Sequence, residues 1–341
     1  MNKPKVAVVI VHWNRKNLLE KFLPSVMASS YSNMEVVLAD NASTDGSVEY
    51  VQQHFPEIKI VRNDQNYGYA GGYNKALKQV EADYYILLNN DIEVPGNWIE
   101  PVIEAMEADV SLGACQPKML DYHDKALFEY AGACGGFIDK YGYPFCRGRM
   151  FNTLEHDYGQ YDEPVNIFWA TGACLFIRAN LFHEVGGFDE HFFAHMEEID
   201  LCWRMHLHGY KLKVIPQSKV YHVGGGTLSK LNAQKTYLNF RNSLVMLYKN
   251  LESHKLWWII FVRSTLDLIA SIQFVVKGQF SHSAAIHRAH AHFFFKLGKW
   301  HKQRKLAQKV ANHSNVSGMV NYSVVWRYFV RKKATFKEIT Y

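Results

Sequence analysis

The sequence has little cysteine, and its few cysteines follow no metal-binding or disulfide pattern. There are five in 341 residues, an odd number, and none belongs to a C-x-x-C motif. A disulfide framework or a zinc knuckle needs paired or closely spaced cysteines, so the pattern argues against both. The scattered thiols indicate a reducing compartment, and we expect the protein to be cytoplasmic.

The N-terminus lacks the long apolar run of a secretion signal. Its first apolar run, residues 6–11, is six residues long and stops at the polar stretch HWN. The apolar core of a signal peptide is longer than this. We therefore interpret residues 5–11 as the first strand of a folded domain.

Acidic residues almost disappear from the C-terminal part. After Asp267 only Glu338 is acidic, whereas thirteen lysines or arginines occur there. The chain carries a net charge of +6, so this segment accounts for +12 and residues 1–267 for −6. Such a basic tail typically meets phosphate, in nucleic acid or in anionic lipid. The length allows one large domain with an appendage, and we predict a catalytic domain over 1–240 and a helical basic region over 241–341.

The first ninety residues alternate between short apolar runs and amphipathic segments. The runs are rich in Val and Ile and lie at residues 5–11, 34–39, 58–61 and 84–88. The segments between them, such as NLLEKFLPSVMAS, place apolar side chains at helical spacing. This order predicts an α/β fold with a doubly wound, mostly parallel sheet.

Polar residues stand at the ends of three predicted strands. Asn14 follows the first, Asp40 ends the second, and Asn89, Asn90 and Asp91 follow the fourth. Each cluster alone is compatible with a simple turn. Carboxyl ends of parallel strands share one edge, however, where α/β proteins bind ligands and where a lone Asp can hold a hard cation. We expect these residues to converge on one crevice.

Two further segments bear on the site. NYGYAGGYNKAL brings Gly71 and Gly72 to a helix start, where free amides favour anions, but it lacks the G-x-G-x-x-G spacing of a dinucleotide site.

EEIDLCWRMHLHGY predicts a helix with Glu197, Glu198 and Asp200 in its first turn. The helix dipole alone can explain acids there. Two close carboxylates also raise one pKa, which makes a useful general base.

Six ordered motifs resemble those of family 2 glycosyltransferases with a GT-A fold, particularly the rhamnosyltransferase-like bacterial branch. They span about residues 4–250 and read VVIVHWNRKNLLEKFLPSV, VVLADNASTDGSVEYV, NYGYAGGYNKAL, YYILLNNDIEVP, GGFDEHFFAHMEEIDLCWR and VYHVGGG. The resemblance implies inverting, Mg²⁺- or Mn²⁺-dependent transfer of rhamnose or another hexose. The implied donor is a UDP- or dTDP-linked sugar, and the implied acceptor is a hydroxyl of a glycan or lipid-linked glycan in cell-surface polysaccharide synthesis.

The resemblance also implies residue roles. Asp40 would contact the nucleotide base and Asn14 would lie beside the nucleotide, whereas Asp91 would ligate the metal and His222 complete its site. Glu198 would be the catalytic base with Glu197 in reserve, and Asp200 would brace the helix or the neighbouring Arg204. The donor-binding set is Asn14, Asp40, Asn66, Gly71, Asn89 and Asn90. Asn89 departs from the pattern, because many relatives have an Asp there.

Residues 113–165 look like hairpin and loop material and are expected to form an acceptor-side insertion.

Residues 256–276 contain fifteen apolar residues in twenty-one but include Arg263 and Asp267. Each charge costs roughly 2.5–3.5 kcal/mol on insertion, which brings the predicted balance for spanning near zero. Arg263, Asp267 and Ser271 form one polar stripe. The pattern is typical of a helix on an anionic membrane surface, with a helical cap on the catalytic domain as the alternative. We expect a peripheral protein on the inner face of the cell membrane.

Two other functions fit the sequence less well. A nucleotidyltransferase that makes sugar nucleotides would want a glycine-rich loop after the first strand, and HWNRKN has no glycine. A nucleic-acid-binding protein could use the basic tail, but no known module signature accompanies those lysines. Nucleic acid is therefore not an expected partner.

Overall fold

The computed structural model describes residues 3–224 and 232–340. A large mixed sheet forms the centre, in the strand order β11-β13-β6-β12-β4-β1-β2-β3, with β5 pairing to β13. Its strands are β1 Val6–His12, β2 Met34–Asp40, β3 Lys59–Arg62, β4 Tyr84–Leu88, β5 Ile92–Glu93, β6 Leu112–Asp121, β11 Val165–Ile167, β12 Cys174–Arg178 and β13 Lys211–His222.

The first half of the sheet confirms the predicted doubly wound arrangement. Strand β1 pairs in parallel with β2 and β4, and β2 pairs in parallel with β3. The register places His12 opposite Asp40, so both strands end at the same edge. The connecting helices are α1 Lys16–Met27, α2 Ser47–His54, α3 Gly68–Leu77 and α4 Glu100–Ala108. The apolar runs are buried because helices cover the sheet.

The second half brings distant segments to the same sheet edge. Strand β12 runs antiparallel between β4 and β6, while β13 runs parallel to β6. The hydrophobic run of β6 is almost wholly buried, although we had expected only hairpins and loops in this region. Two short helices follow, α5 Ala179–Glu184 and α6 Glu197–Leu207. Position 222, at the end of β13, thereby comes next to the turn after β4.

The predicted insertion forms a small second sheet. Its order is β10-β9-β8-β7-β14, with strands β7 Gly136–Asp139, β8 Pro144–Cys146, β9 Arg149–Met150, β10 Thr153–Leu154 and β14 Met319–Val320. The last of these comes from the C-terminal segment and pairs in parallel with β7. The chain end therefore folds back onto the insertion.

The C-terminal region is helical, as predicted. Its helices are α7 Ala233–Asn250, α8 Ser253–Val276, α9 Phe280–Phe295, α10 Leu297–Lys309 and α11 Phe336–Thr340. Position 240, the predicted domain boundary, lies inside α7, which packs on α6 as well as on α8, α9 and α10. The boundary itself stays a prediction.

Helix α8 has its polar side inside and an apolar side outside. The Arg263 Nε lies 2.8 Å from Asp267 Oδ1, and His290 Nε2 lies 3.1 Å from Asp267 Oδ2. Tyr143 on the insertion donates to Asp267 at 3.2 Å. Large apolar side chains point outward instead, namely Trp257, Trp258, Phe261, Leu268, Ile269, Ile272, Val275 and Val276. Among the described helices only α8 is long and apolar enough to cross a membrane.

Candidate active site

Three buried side chains form a line at the carboxyl edge of β4. Asp91 Oδ1 lies 3.1 Å from His222 Nε2, and Glu129 Oε1 lies 3.1 Å from His222 Nδ1. All three residues are at most 5% exposed. Burial opposes the imidazolium form, but the charges of Glu129 and Asp91 outweigh it and raise the pKa of His222 to about 10. Glu129 thus orients the ring of a residue that reaches the predicted metal position.

This arrangement fits a divalent cation. Mg²⁺ holds its ligands at about 2.0–2.1 Å in octahedral geometry, so neighbouring ligand atoms lie about 2.9–3.0 Å apart. The 3.1 Å between Asp91 Oδ1 and His222 Nε2 matches that spacing. In the described part of the chain, no three His, Cys, Asp or Glu side chains enclose one ion. Two protein ligands leave positions for substrate phosphate and water, which is how Mg²⁺ is commonly bound.

The two asparagines before Asp91 turn to different neighbours. Asn89 Nδ2 lies 3.5 Å from His222 Nε2, at the limit of a hydrogen bond. Asn90 Nδ2 lies 2.8 Å from His12 Nδ1, and the other nitrogen of that ring lies 2.9 Å from Ser47 Oγ. Burial lowers the pKa of His12 to about 4 although Asp45 and Asp40 favour its charged form. His12 is therefore neutral and ties the ends of β1 and β4 together.

The end of β2 forms a polar loop with the residue after β1. Asn14 has a positive φ of 56° and accepts a hydrogen bond from the Thr44 amide at 2.9 Å. Asp40 is buried and accepts from the Ser43 amide at 3.1 Å. Both predicted donor-side residues thus lie on one loop system at the carboxyl edge. The Asn14 side-chain amide and the Asp40 carboxylate hold this loop through these two hydrogen bonds.

The predicted glycine-rich helix start lies next to these loops. Asn66 Oδ1 accepts from the Gly68 amide at 2.8 Å and fixes the beginning of α3. A side chain at Gly71 would place its Cβ 2.9 Å from the Cβ of Tyr67, so only glycine packs there without a shift. The hydroxyl of Tyr69, on the same helix, donates to the Gly172 carbonyl at 2.5 Å. This contact links α3 to the segment before β12.

Glu197 and Glu198 begin α6 directly after Met196, whose φ is 70°. Each has a buried Oε2 with no hydrogen-bond partner among the described residues. Burial raises the pKa of Glu198 to about 7. Burial and then the charge of Glu198 raise the pKa of Glu197 well above its usual range. Near neutral pH, Glu198 is therefore poised between its protonated and ionised states.

The carboxylate pair and the Asp91 turn meet across the segment before β12. A Cβ on Gly172 would lie 3.5 Å from the Cβ of Glu198. One residue on, the Ala173 carbonyl accepts from the Asn89 amide at 2.9 Å. The two predicted catalytic elements thus border the same short stretch of chain, at the carboxyl edge of the sheet.

Comparison with known proteins identifies the family. Residues 7–186, just over half of the chain, match the profile of Glycosyl transferase family 2. The chain belongs to this family. It is 26% identical over 275 residues to N-acetylglucosaminyl-diphospho-decaprenol L-rhamnosyltransferase of Mycobacterium tuberculosis, covering 76% of this chain and 88% of that one. The enzyme is therefore a glycosyltransferase, with rhamnosyltransferase-like relatives as the motifs predicted.

Solved structures confirm the predicted GT-A fold class. The structure of GalNAc-T7 with UDP, GalNAc and Mn²⁺ aligns at a TM-score of 0.61 and 15% identity, over 87% of this chain. This chain spans 58% of the length of that protein. A mannosyltransferase from Pyrobaculum calidifontis in complex with GDP-Man and Mn²⁺ aligns at 0.52 and 15% identity, covering 91% of this chain and 86% of that one. At such identities the likeness concerns the fold alone.

The third acid of α6 has a different role in this glycosyltransferase. Asp200 is fully buried and pairs with Arg204 at 3.0 Å, with Lys249 at 3.0 Å and with Asn250 at 2.9 Å. Lys249 also pairs with Asp189 at 2.6 Å, so α7 is joined both to α6 and to the loop before it. Asp200 braces Arg204, as expected from the sequence, and supports the start of α6.

Sequence reasoning missed Glu129, His12 and Tyr69. Glu129 lies in FEYAGACGG, a stretch without a readable period, and only the fold brings it to His222. His12 was visible as part of the HWN break after the first strand, at the same strand end as Asn14. Tyr69 was visible inside NYGYAGG. The last two glycines of VYHVGGG, at 225 and 226, lie outside the described residues.

Proposed function

We propose that this glycosyltransferase transfers rhamnose or another hexose, with inversion, from a UDP- or dTDP-linked sugar to a hydroxyl of a glycan or lipid-linked glycan. The product would serve cell-surface polysaccharide synthesis. The observation that carries the proposal is the pair of carboxylates at the start of α6, beside the turn that holds Asp91 and His222. Each carboxylate has one buried oxygen without a hydrogen-bond partner among the described residues. The related mycobacterial protein, named for a diphospho-decaprenol-linked sugar acceptor, supports the acceptor class.

Asp91 and His222 are the ligands for Mg²⁺ or Mn²⁺ in this proposal. Once bound, the ion supplies positive charge that stabilises the departing diphosphate. Glu129 lies 3.1 Å from Nδ1 of His222 and would orient that ring once a metal ion had displaced the proton on Nε2. Asn89 and Asn90 complete the turn that presents Asp91. Asn14, Asp40, Asn66 and Gly71 form the donor side, on loops that converge with that turn.

Glu198 takes the proton of the acceptor hydroxyl in the proposed reaction. The acceptor oxygen forms a bond to the anomeric carbon while the bond from that carbon to the phosphate oxygen breaks, and the nucleoside diphosphate leaves with the electron pair. Glu198 suits this role because its pKa of about 7 lies near neutral pH. Glu197, whose pKa is raised above its usual range by burial and by the charge of Glu198, is the reserve base. One base and in-line geometry require no covalent enzyme intermediate.

Replacement of Asp91 tests the metal assignment. We expect Asp91→Ala to abolish Mn²⁺- or Mg²⁺-dependent transfer in a panel of nucleotide sugars, with the far-UV circular dichroism spectrum unchanged. Asp83 precedes the same strand at its opposite end and provides a matched control, so Asp83→Ala should keep transfer. Full turnover by Asp91→Ala would refute the assignment.

We also infer that the outer face of α8 rests on an anionic membrane. The supporting observation is that the charges of α8 are satisfied inside, whereas Trp257, Trp258 and Phe261 are each more than half exposed. Crossing the bilayer would separate Arg263 and Asp267 from partners on the insertion and on α9. Exposed lysines on α10 add attraction to anionic headgroups. A position on the inner face of the cell membrane follows.

Vesicle flotation tests the membrane contact. The full chain should float with vesicles of phosphatidylglycerol and phosphatidylcholine, and Trp258→Ser combined with Phe261→Ser should reduce the bound fraction. Tyr158 is a comparably exposed aromatic residue on the insertion, so Tyr158→Ser should bind like the wild type. Equal binding by all three proteins would contradict the assignment to α8.

A further inference from the structure

Arg149, at the start of β9, is a buried cation with an incomplete set of partners. The residue is 8% exposed. Its Nη2 donates to the sulfur of Cys146 at 3.3 Å, and its guanidinium carbon lies 4.6 Å from the centre of the Tyr130 ring. Its Nε is buried and has no hydrogen-bond partner among the described residues. No described carboxylate forms an ion pair with it within the 4.0 Å limit.

The other buried arginines of the described chain differ from Arg149. Each of the five donates to at least two oxygen atoms, and they are Arg147, Arg204, Arg241, Arg263 and Arg304. Arg149 donates to no oxygen in the described structure. Buried guanidinium groups normally donate to oxygen atoms or pair with an anion. Burial opposes the charge of Arg149, but Cys146, Tyr130 and Glu129 favour it and hold its pKa above the usual value. We therefore expect its unused donors to bind an anion that the described residues do not supply.

The position of Arg149 relates it to the acceptor side. Tyr130, on which it stacks, directly follows the Glu129 that faces His222. Arg149 belongs to the inserted sheet, not to the donor-side loops after β1 and β2. Through Tyr130 it adjoins the Glu129–His222 pair from that sheet.

We propose that Arg149, stacked on Tyr130, binds a phosphate of the diphosphate that joins the acceptor sugar to its lipid. This inference rests on the proposed transfer to a lipid-linked acceptor and assigns it a specificity residue. A planar guanidinium can donate two parallel hydrogen bonds to a phosphate, and its free Nε is suited to one of them. The ion pair would fix the distance between the diphosphate and the acceptor hydroxyl at Glu198.

Pyrophosphate binding tests the site without catalysis. In EDTA, which removes metal from the Asp91 site, inorganic pyrophosphate should raise the unfolding temperature of the wild type and leave that of Arg149→Met unchanged. The unfolding temperature of Arg149→Met without ligand is its own baseline, so only the shift caused by pyrophosphate is compared. Arg147→Met is the matched control two residues away, and it should lower the unfolding temperature because the carbonyls of Cys134, Tyr161 and Glu163 lose their donor. An equal pyrophosphate shift in wild type and Arg149→Met would overturn the proposal.

Acceptor kinetics identify which diphosphate is bound. We expect Arg149→Met to raise KM about 10- to 100-fold for an acceptor carrying the lipid diphosphate, with KM unchanged for the same sugar as a neutral alkyl glycoside. The dissociation constant of the nucleoside diphosphate should not change. Weaker nucleotide binding with an unchanged acceptor KM would assign Arg149 to the donor and overturn the proposal. If the wild type turned over no sugar nucleotide at all, the proposed function would fail instead, and the pyrophosphate result would still report on the site.

Discussion

Helices α6 and α8 both bury carboxylates, but of the two only α6 leaves carboxylate oxygens without a partner among the described residues. In α8, Asp267 is fully buried and receives Arg263, His290 and Tyr143. In α6, Glu197 and Glu198 each keep a buried oxygen without a partner in the described structure. A satisfied buried charge stabilises a particular packing, whereas an unsatisfied buried polar group is costly and is more often found at functional sites. We propose that this difference separates a helix with a structural role from a helix with a catalytic role.

The same contrast occurs within one turn of α6. Asp200 lies two residues after Glu198 and is held by Arg204, Lys249 and Asn250. The helix dipole acts on all three acids of that turn, so it does not explain why two lack partners. What differs is the side of the helix on which they lie. Asp200 faces α7, and Glu198 borders Gly172 at the sheet edge.

The strongest test of this comparison is the pair Glu198→Gln and Asp200→Asn. We expect Glu198→Gln to lower kcat by about 10²- to 10⁴-fold, because the acceptor proton loses its base. Donor binding, followed by calorimetry with the nucleoside diphosphate, should be retained. Its unfolding temperature should not fall at pH 8, because burial raises the pKa of Glu198 and its ionised form therefore weakens the folded state.

Asp200→Asn should behave in the opposite way. Removing this charge leaves Lys249 and Arg204 with fewer partners, so the unfolding temperature of Asp200→Asn should be lower than that of the wild type. If Glu198→Gln kept wild-type turnover, or if Asp200→Asn were the more stable of the two, the separation between catalytic and bracing carboxylates would not hold.

The paired carboxylate of α8 offers the second test. Asp267→Asn should lower the free energy of unfolding by about 3–5 kcal/mol, since it leaves the buried Arg263 without its counter-charge. Burial opposes the charge of Asp267, but Arg263 and His290 outweigh it and hold the pKa of that carboxyl below its usual value. The stabilisation is thus present at neutral pH and lost on acidification through the lowered pKa.

Urea denaturation without lipid measures this effect. The neighbouring Leu268 is half exposed, and Leu268→Ser should change the free energy of unfolding by no more than about 0.5 kcal/mol. Similar values for the two variants would mean that the buried network does not hold α8 in place.

These regions also show what could be predicted from sequence. The clustering at the ends of β1, β2 and β4 followed from topology, because parallel strands end at one edge whatever their side chains. The polar stripe of α8 was equally visible from its spacing. Spacing cannot tell which side of a helix faces inward, however. The partners that turn the stripe inward, Tyr143 and His290, come from 124 and 23 residues away.

Glu129 could not be predicted for a related reason. It lies in the inserted segment, where short strands and turns leave no hydrophobic period, and β6 beside it was not predicted either. Its role depends on a contact with His222, 93 positions later in the chain. Long-range contacts of single polar side chains are set by tertiary packing, which local patterns do not encode.

Glu129 provides the third test, between the two extremes of the comparison. Glu129 is a buried carboxylate, and its partner, His222, is a predicted metal ligand. We expect Glu129→Gln to weaken apparent Mn²⁺ affinity or activity about 10- to 100-fold, as for other groups that orient a metal-bound histidine. Glu93, paired with Lys125 at the surface, is the control, and Glu93→Gln should not change the Mn²⁺ dependence. A purely structural Glu129 would lower stability at unchanged metal affinity.

We expect the smallest effect from replacing Glu197. The pH dependence of kcat/KM then distinguishes the roles of Glu197 and Glu198. Wild-type kcat/KM should fall about tenfold per pH unit below a midpoint near 7, because Glu198 must lose its proton to act as the base and burial raises its pKa to about 7. Burial and then the charge of Glu198 raise the pKa of Glu197 well above its usual range, whereas the pKa of Glu198 is raised by burial and not by Glu197. Glu197→Gln should therefore retain that midpoint at saturating Mn²⁺. A midpoint shifted well toward acid would show that Glu197 is ionised in the working enzyme, and the roles of the two carboxylates would have to be exchanged.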